Sequence, residues 1–250
     1  MKIQQIRNAT MRISYAEKVI LTDPYLAKKH SMKSHAGKAK SPLVDLPMKT
    51  QKIIDGVDLC LLSHIHSDHF DQTAQNLLPK NLPVYCQPID QQKIESRGFT
   101  NVHPVIATSQ QEGIIITRTT AIHGSGEVLA EMGEGSGYIL KSNNEPTVYW
   151  TGDSIWCEEI ADIIKKHKPD IILTHSCGAV WGDQIPIIMN AEQTFEVCRF
   201  APHSIVIAIH MGTVDHGTVK RSELRAMAEK NGISAKQLLI PEDGEIITYN

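Results

Sequence analysis

What this chain lacks narrows what it can be. Its five cysteines, Cys60, Cys86, Cys157, Cys177 and Cys198, are odd in number, widely spaced and without a C-x-x-C pair. That excludes a disulfide scaffold and a thiolate zinc site, and they read as reduced thiols. No apolar run approaches the ~20 residues of a membrane-spanning helix. The start, Met1-Lys2-Ile3-Gln4-Gln5-Ile6-Arg7, lacks the long apolar core of a signal peptide, so a soluble cytoplasmic protein with no membrane partner is expected. A basic excess is missing too: 25 Lys and Arg stand against 28 Asp and Glu, a formal charge of −3. Phosphate-backbone binding leaves a basic footprint, so nucleic acid is disfavoured as a partner and a small-molecule substrate is favoured. A length of 250 residues suits one α/β domain spanning 1–250, large enough to bury a sizeable core. A homo-oligomer is left open.

What the chain has is a concentration of metal-type side chains. Leu59-Cys60-Leu61-Leu62 is an apolar strand that runs into Ser63-His64-Ile65-His66-Ser67-Asp68-His69-Phe70. Alternate residues of a strand share a face, so His64 and His66 project together, and the turn after them can bring Asp68 and His69 round to the same point. Imidazole and carboxylate at this density suit zinc, manganese or iron(II). A polar loop would be built from turn formers instead of imidazoles. The same device recurs, because apolar runs also end in Asp23, His123, Asp153, His175 and His210. Strands that end together bring these side chains to one edge.

Around these residues strand and helix patterns alternate, the mark of an α/β fold. Short apolar runs at Ile3 to Ile6, Met11 to Ile13 and Val19 to Leu21 read as a meander, closed by Thr22-Asp23-Pro24, where Asp and Pro are also plain turn formers. Residues 28–40 carry Lys28, Lys29, Lys33, Lys38 and Lys40 with His30 and His35, no acid and no apolar face. They read as a loop, either a solvated connection or an anion-binding lid. Asp71 can cap a helix over Gln72 to Leu78. A strand follows at Leu82 to Cys86, then a helix over Asp90 to Arg97 closed by Gly98. The β-branched run from Ile114 delivers His123, and Glu127 to Ser136 is expected to cross above the site. Gly137 to Leu140 and Thr147 to Thr151 form a hairpin ending in Thr151-Gly152-Asp153. Glu158 to Lys168 is an amphipathic helix, and Asp170 to Thr174 is a buried strand ending in His175. Two residues apart on one strand, His175 and Cys177 are not oriented by that spacing into a nucleophilic pair. Ala191 to Arg199 is a helix, and Ser204 to Ile209 is the last core strand, ending in His210.

His64-Ile65-His66-Ser67-Asp68-His69 resembles the H-x-H-x-D-H signature of the metallo-β-lactamase superfamily and is complete at its fixed positions. The likeness extends over essentially the whole chain. It implies a four-layer αββα sandwich of two similar halves, with metals in a groove between the sheet edges. By this resemblance His64, His66 and His123 hold one divalent ion, Asp68, His69 and His210 hold the other, and Asp153, in the family's T-G-D motif, bridges them through its two oxygens. Asp23, at the family's first motif, would orient a ligand histidine and bind no metal. The implied cofactors are two divalent metal ions, zinc or manganese, sharing a hydroxide that attacks a carbonyl or phosphoryl centre, with Asp68 holding its proton. His175 is not carried over as a ligand and is a candidate for supporting a ligand residue or for touching substrate, and His175 and His216 are candidates for substrate contact or for protonating the leaving group.

His66 stands where a Glu would imply a di-iron redox site, which favours hydrolysis. Asp-Pro, Leu-Pro, His-Gly, Ser-Gly, Gly-Asp and His-Met come in the order found in a branch of metal-dependent hydrolases that includes L-ascorbate 6-phosphate lactonase. The activity implied is hydrolysis of a small anionic lactone, ester or amide. The alternatives are a phosphodiesterase or nuclease of the same superfamily and a non-catalytic metal-binding module, and the intact ligand set weighs against the module.

Overall fold

The chain builds one pattern twice, an antiparallel meander that hands over to parallel strands. In the computed structural model, which describes residues 1–35 and 38–249, Lys2–Arg7, Thr10–Tyr15 and Lys18–Thr22 form the first meander. Leu59–Leu61, Val84–Cys86 and Val102–Pro104 then add in parallel. Thr108–Gln111, Ile114–Ala121, Gly135–Lys141 and Val148–Trp150 repeat the meander. Parallel Ile171–His175, Ile205–Ile209 and Leu238–Leu239 follow. Ile246–Thr248 returns to pair with Lys2–Arg7, giving two seven-stranded mixed sheets. Ala36 and Gly37 of the 28–40 loop lie outside the described residues.

Three apolar layers hold these sheets. Between them, Ile13, Leu59, Leu61 and Tyr85 meet Trp150, Leu173 and Ile207. Cys60 and Leu62, the alternate residues of the same strand, face outward with Val84 onto Ile53, Ala74 and Ile94. On the far side Ile172, Val206 and Ala208 pack against Ile160, Ile164, Phe195 and Leu224, from the helices Glu158–His167, Ala191–Phe200 and Arg221–Lys230. Helices therefore cover both outer faces, and the parallel strands, buried on two sides, read in sequence as unbroken apolar runs. No helix among the described residues is long and apolar enough to cross a membrane.

Several elements differ from expectation for local reasons. Asp71 caps Gln72–Leu77 as its position implies, accepting from the backbone N–H groups of Thr73 and Ala74. The helix expected over Asp90 to Arg97 is shorter, Gln91–Glu95, entered through a 3-10 turn at Pro88–Asp90. Most of Glu127 to Ser136 is taken up by a helix, Gly126–Met132, with no buried residue, which opens on Gly126 (φ 55°) and is closed by Gly133 (φ 76°). The edge strands Val102–Pro104 and Thr108–Gln111 and the hairpin Val180–Trp181/Ile185–Pro186 carry too few apolar residues to show a period. Parallel pairing fixes where the site must be: Thr22 lies beside Leu61 and His175 beside Ile209. The loops leaving these carboxyl ends share one edge of the sandwich, the usual place for an α/β site.

Candidate metal centre

The turn after the strand Leu59–Leu61 is closed by the N–H groups of His69 and Phe70, both donating to His66 O at 3.0 Å, and it swings Asp68 and His69 back to the strand end. His64, His66 and His123 each place a ring nitrogen within a span of 4.8 Å, and Asp68, His69 and His210 do the same with a carboxylate oxygen and two nitrogens. Asp153 lies between the triads. Its Oδ2 is 3.2 Å from His69 Nε2, 3.5 Å from His123 Nε2 and 3.9 Å from His64 Nε2. All seven residues read from the sequence as metal ligands meet in one place, and all but His66 are buried.

Outer partners set the direction of each ring. His69 Nδ1 meets Asp23 Oδ2 at 2.6 Å and His123 Nδ1 meets the carbonyl of Ile187 at 2.8 Å. Both partners only accept, so both nitrogens donate and each Nε2 presents a lone pair to the interior when the ring is neutral. Ser63 Oγ donates to Asp23 Oδ2 at 2.5 Å and so accepts from His64 Nδ1 at 2.9 Å. Asp23 thereby orients His69 directly and His64 through Ser63. His210 Nδ1 lies 3.4 Å from Cys177 Sγ. The inward atoms crowd: His64 Nε2 and His66 Nδ1 are 3.0 Å apart, His69 Nε2 and His210 Nε2 3.2 Å. Lone pairs at such distances repel unless a cation or a proton lies between them, so this donor set fits divalent transition metals.

The charges agree. Burial would lower His69, but the carboxylates of Asp153, Asp68 and Asp23 outweigh it and push the ring up to about 10. His210 is likewise raised in spite of burial, chiefly by Asp153. His64 and His66 move the other way: burial, reinforced by neighbouring imidazoles, takes His64 well below the usual range and His66 to about 4. Burial disfavours charge on Asp68 and Asp153 also, yet His69 and the surrounding rings hold both well below the ordinary carboxylate range. The buried carboxylates thus favour the charged forms of His69 and His210 in the place where bound metal would otherwise balance them.

Of the two roles open to His175, partner of a ligand residue or contact to substrate, the structure favours the first: it is wholly buried and is not among the residues lining the cavity over the triads. Its strand end points between the sheets, where Trp150 Nε1–H donates to its Nε2 at 2.8 Å and its Nδ1 lies 2.5 Å from Asp153 Oδ1. The two oxygens of Asp153 are not equivalent: Oδ1 is engaged by His175 and lies 3.8 Å from His210 Nε2, whereas Oδ2 faces rings of both triads. His216 does reach the mouth. It lines the cavity with its Nδ1 3.7 Å from Asp215 Oδ1 and without a hydrogen-bond partner among the described residues, and burial lowers its pKa.

Other residues here were marked in the sequence only by their loops or not at all. Asn8 (φ 57°), in the tight turn after the first strand, donates through Nδ2 to Asp68 O at 3.0 Å and lies 3.1 Å from His210 Nε2. Positive φ in a polar turn, which asparagine tolerates, is a signal only in hindsight. A cavity of about 80 Å³ over the triads is completed by His35, Met132, Trp181 and Ile187. His35, Trp181 and His216 also line an adjoining cavity of about 490 Å³ with Lys38 and Gln184. Asp215 Oδ2 anchors this rim, accepting from Ser34 Oγ and from the N–H groups of Lys38 and Ala39. Of the five loop lysines, only Lys38 lines either cavity.

Comparison with known proteins agrees with this geometry. Residues 18–211 match the family model described as a beta-lactamase superfamily domain. The UPF0173 protein YddR of Bacillus subtilis is 38% identical over 255 residues, covering 100% of both chains. A possible metal-dependent hydrolase from Veillonella parvula superposes with a TM-score of 0.96 at 31% identity, covering 100% of this chain and 99% of that one. An isothiocyanate hydrolase from Delia radicum gut bacteria superposes at 0.93 with 33% identity, again covering 100% and 99%.

Proposed function

The chain belongs to the metallo-β-lactamase superfamily, within the UPF0173 family, and is a metal-dependent hydrolase; on that premise we propose that it is dinuclear and hydrolyses a small electrophilic carbon compound with an anionic arm. The observation that carries the dinuclear reading is the placement of one oxygen, Asp153 Oδ2, at 3.2 Å and 3.5 Å from ligand nitrogens of different triads, those of His69 and His123. When bound, two divalent ions supply a water deprotonated at neutral pH and take up negative charge developing on the substrate. The side chains do the rest. Asp68 turns Oδ2 toward His210 Nε2 at 3.4 Å and Oδ1 toward His35 at 3.9 Å, so Oδ1 is the acceptor for the attacking water's proton. Met132, Trp181 and Ile187 keep bulk water from the reacting group. His216, at the mouth, is the candidate donor to the leaving group.

Size supports a small reacting head. A water occupies ~30 Å³ in the liquid, so about 80 Å³ admits an ester, lactone or amide carbonyl, or the N=C=S of an isothiocyanate such as the Delia radicum relative's name specifies. The adjoining cavity of about 490 Å³ is of ordinary ligand size and would take the arm, with Lys38 at its rim for a carboxylate or phosphate. Lactones remain in the substrate set through the sequence likeness to L-ascorbate 6-phosphate lactonase. The test is elemental analysis of protein purified without chelator, together with a panel of isothiocyanate, sugar-phosphate lactone, amide and phosphodiester. Two divalent ions per chain and turnover of carbon electrophiles are expected. A stoichiometry of one or less after reconstitution with zinc and manganese would sink the dinuclear reading, and a phosphodiester turned over best would sink the substrate class. Lys38→Ala should raise KM ~10-fold for an anionic substrate, the worth of one charged hydrogen bond, and leave KM for a neutral ester nearly unchanged.

A further inference from the structure

Asp153 sits on a loop, not on a strand, immediately after Gly152, whose φ of 64° and closeness to Ser136 O (2.3 Å from where a Cβ would stand) make the chain turn sharply there. A carboxylate on such a loop has two side-chain torsions to settle. His175 Nδ1 at 2.5 Å is the partner that engages Oδ1. A neutral imidazole carries one proton, and it can donate to Asp153 only if that proton is on Nδ1. The indole of Trp150 decides this. Its N–H can only donate, and it donates to His175 Nε2 at 2.8 Å, so Nε2 must be the lone-pair nitrogen and Nδ1 the donor. Both residues are buried to within 1% of full coverage, so water does not compete for either bond. They end neighbouring parallel strands, with Trp150 opposite Leu173, and the indole is packed between the two sheets.

We infer that Trp150 and His175 are positioning residues for metal binding: a buried donor chain from the core fixes the His175 tautomer, which holds Asp153 Oδ1 and leaves Oδ2 as the single oxygen presented to both triads. The inference rests on the dinuclear reading but concerns which atoms set the bridge, not the reaction. Removing the outer partner of a metal ligand costs ~10- to 100-fold in metal affinity. His175→Leu removes the donor. His175→Asn keeps an N–H near the place of Nδ1 and should restore much of what His175→Leu loses. Trp150→Phe keeps an aromatic ring in the core, though a smaller one, and frees the tautomer.

The experiment is chelator competition on each variant with cobalt(II) and zinc, with the cobalt visible spectrum as second readout and the melting point of the metal-free protein as a control for packing. Expected are ~10-fold or greater loss of affinity and a changed cobalt spectrum in His175→Leu, recovery to within about threefold in His175→Asn, and an intermediate loss in Trp150→Phe. Equal losses in His175→Leu and His175→Asn that track the metal-free melting points would reduce the pair to core packing and overturn the inference. Should His175→Leu not fold, Trp150→Phe decides: wild-type affinity and an unchanged spectrum would overturn it. Failure of the dinuclear reading is seen separately, as a wild-type stoichiometry of one.

Discussion

The two triads face each other across one carboxylate oxygen yet differ in kind. His64, His66 and His123 are all imidazoles. Two of them, His64 and His66, are driven by burial toward the neutral form, and His66 is partly open to the cavity. Asp68, His69 and His210 include a carboxylate and lie deeper, with both rings raised by the acids around them. Neutral nitrogens accept a metal without losing a proton, whereas the raised rings must release one each. The difference teaches that one edge of a sandwich can hold two unlike half-sites on one cavity, one of imidazoles driven toward neutrality and one whose two rings, behind the cavity, are held toward the charged form by carboxylates.

The largest effect should come from erasing that difference. Asp68→Asn removes the one carboxylate from the deeper triad at nearly constant volume and takes away the acceptor proposed for the attacking water. Metal content should fall from two toward one with the folded state retained, and turnover should drop more than ~100-fold, since metal-supplied charge stabilisation amounts to several kcal/mol. Elemental analysis and initial rates read this directly. Two ions retained with near wild-type turnover would mean the triads' asymmetry has no part in function.

A second prediction uses protons in place of mutations. His69 and His210 are raised in the folded, metal-free chain, so their stabilisation is complete below the unfolded value of ~6.5 and lost as pH climbs toward about 10, the value for His69. His64 and His66 are lowered, so the unfolded chain takes up protons that the folded chain refuses as pH falls from ~6.5 toward about 4, the value for His66. The melting temperature of metal-free protein should therefore peak near pH ~6.5 and fall on both sides by at least ~2–4 °C, what 1 kcal/mol is worth in a domain of this size. Metal should abolish the alkaline fall, because it occupies the nitrogens that hold the protons. A melting point that rises steadily from pH 5 to 9 without metal would show that the deeper triad bears no protons.

Most of the metal-type side chains could be read from the sequence because each follows an apolar strand, and a strand's end is visible both as a loss of periodicity and as a change of residue type. The layers followed for the same reason: Leu59 and Leu61 face the other sheet, while Cys60 and Leu62 face helices. What was hidden lacks any such frame. Asn8 belongs to a tight turn and Trp181 to a two-residue strand, while His35, in a loop without a period, and Met132, in a helix with no buried face, could be placed near the site by segment but not by residue. His175 stayed open between two roles for a different reason. Periodicity says that a side chain ends a strand but not whether it turns out to the cavity or in toward Trp150.

The smallest effect sharpens the comparison inside the deeper triad, where two imidazoles have outer partners of opposite strength. His69 Nδ1 donates to the carboxylate of Asp23 at 2.6 Å, whereas His210 Nδ1 faces the Cys177 thiol at 3.4 Å. A hydrogen bond to a charged group contributes ~1.5–3 kcal/mol, and a thiol is a weak acceptor. Asp23→Asn should therefore lower metal affinity ~10- to 100-fold, the usual cost of losing an outer partner. It also disturbs Ser63, and with it the other triad through His64. Cys177→Ser keeps an acceptor on the same carbon and should change metal affinity and turnover by no more than about threefold, within the energy of a single weak hydrogen bond. Chelator competition on the two variants side by side measures the contrast. If Cys177→Ser abolished turnover with its metal content unchanged, the thiol itself would belong in the reaction, and orienting His210 would no longer be a sufficient account of its place beside that ring.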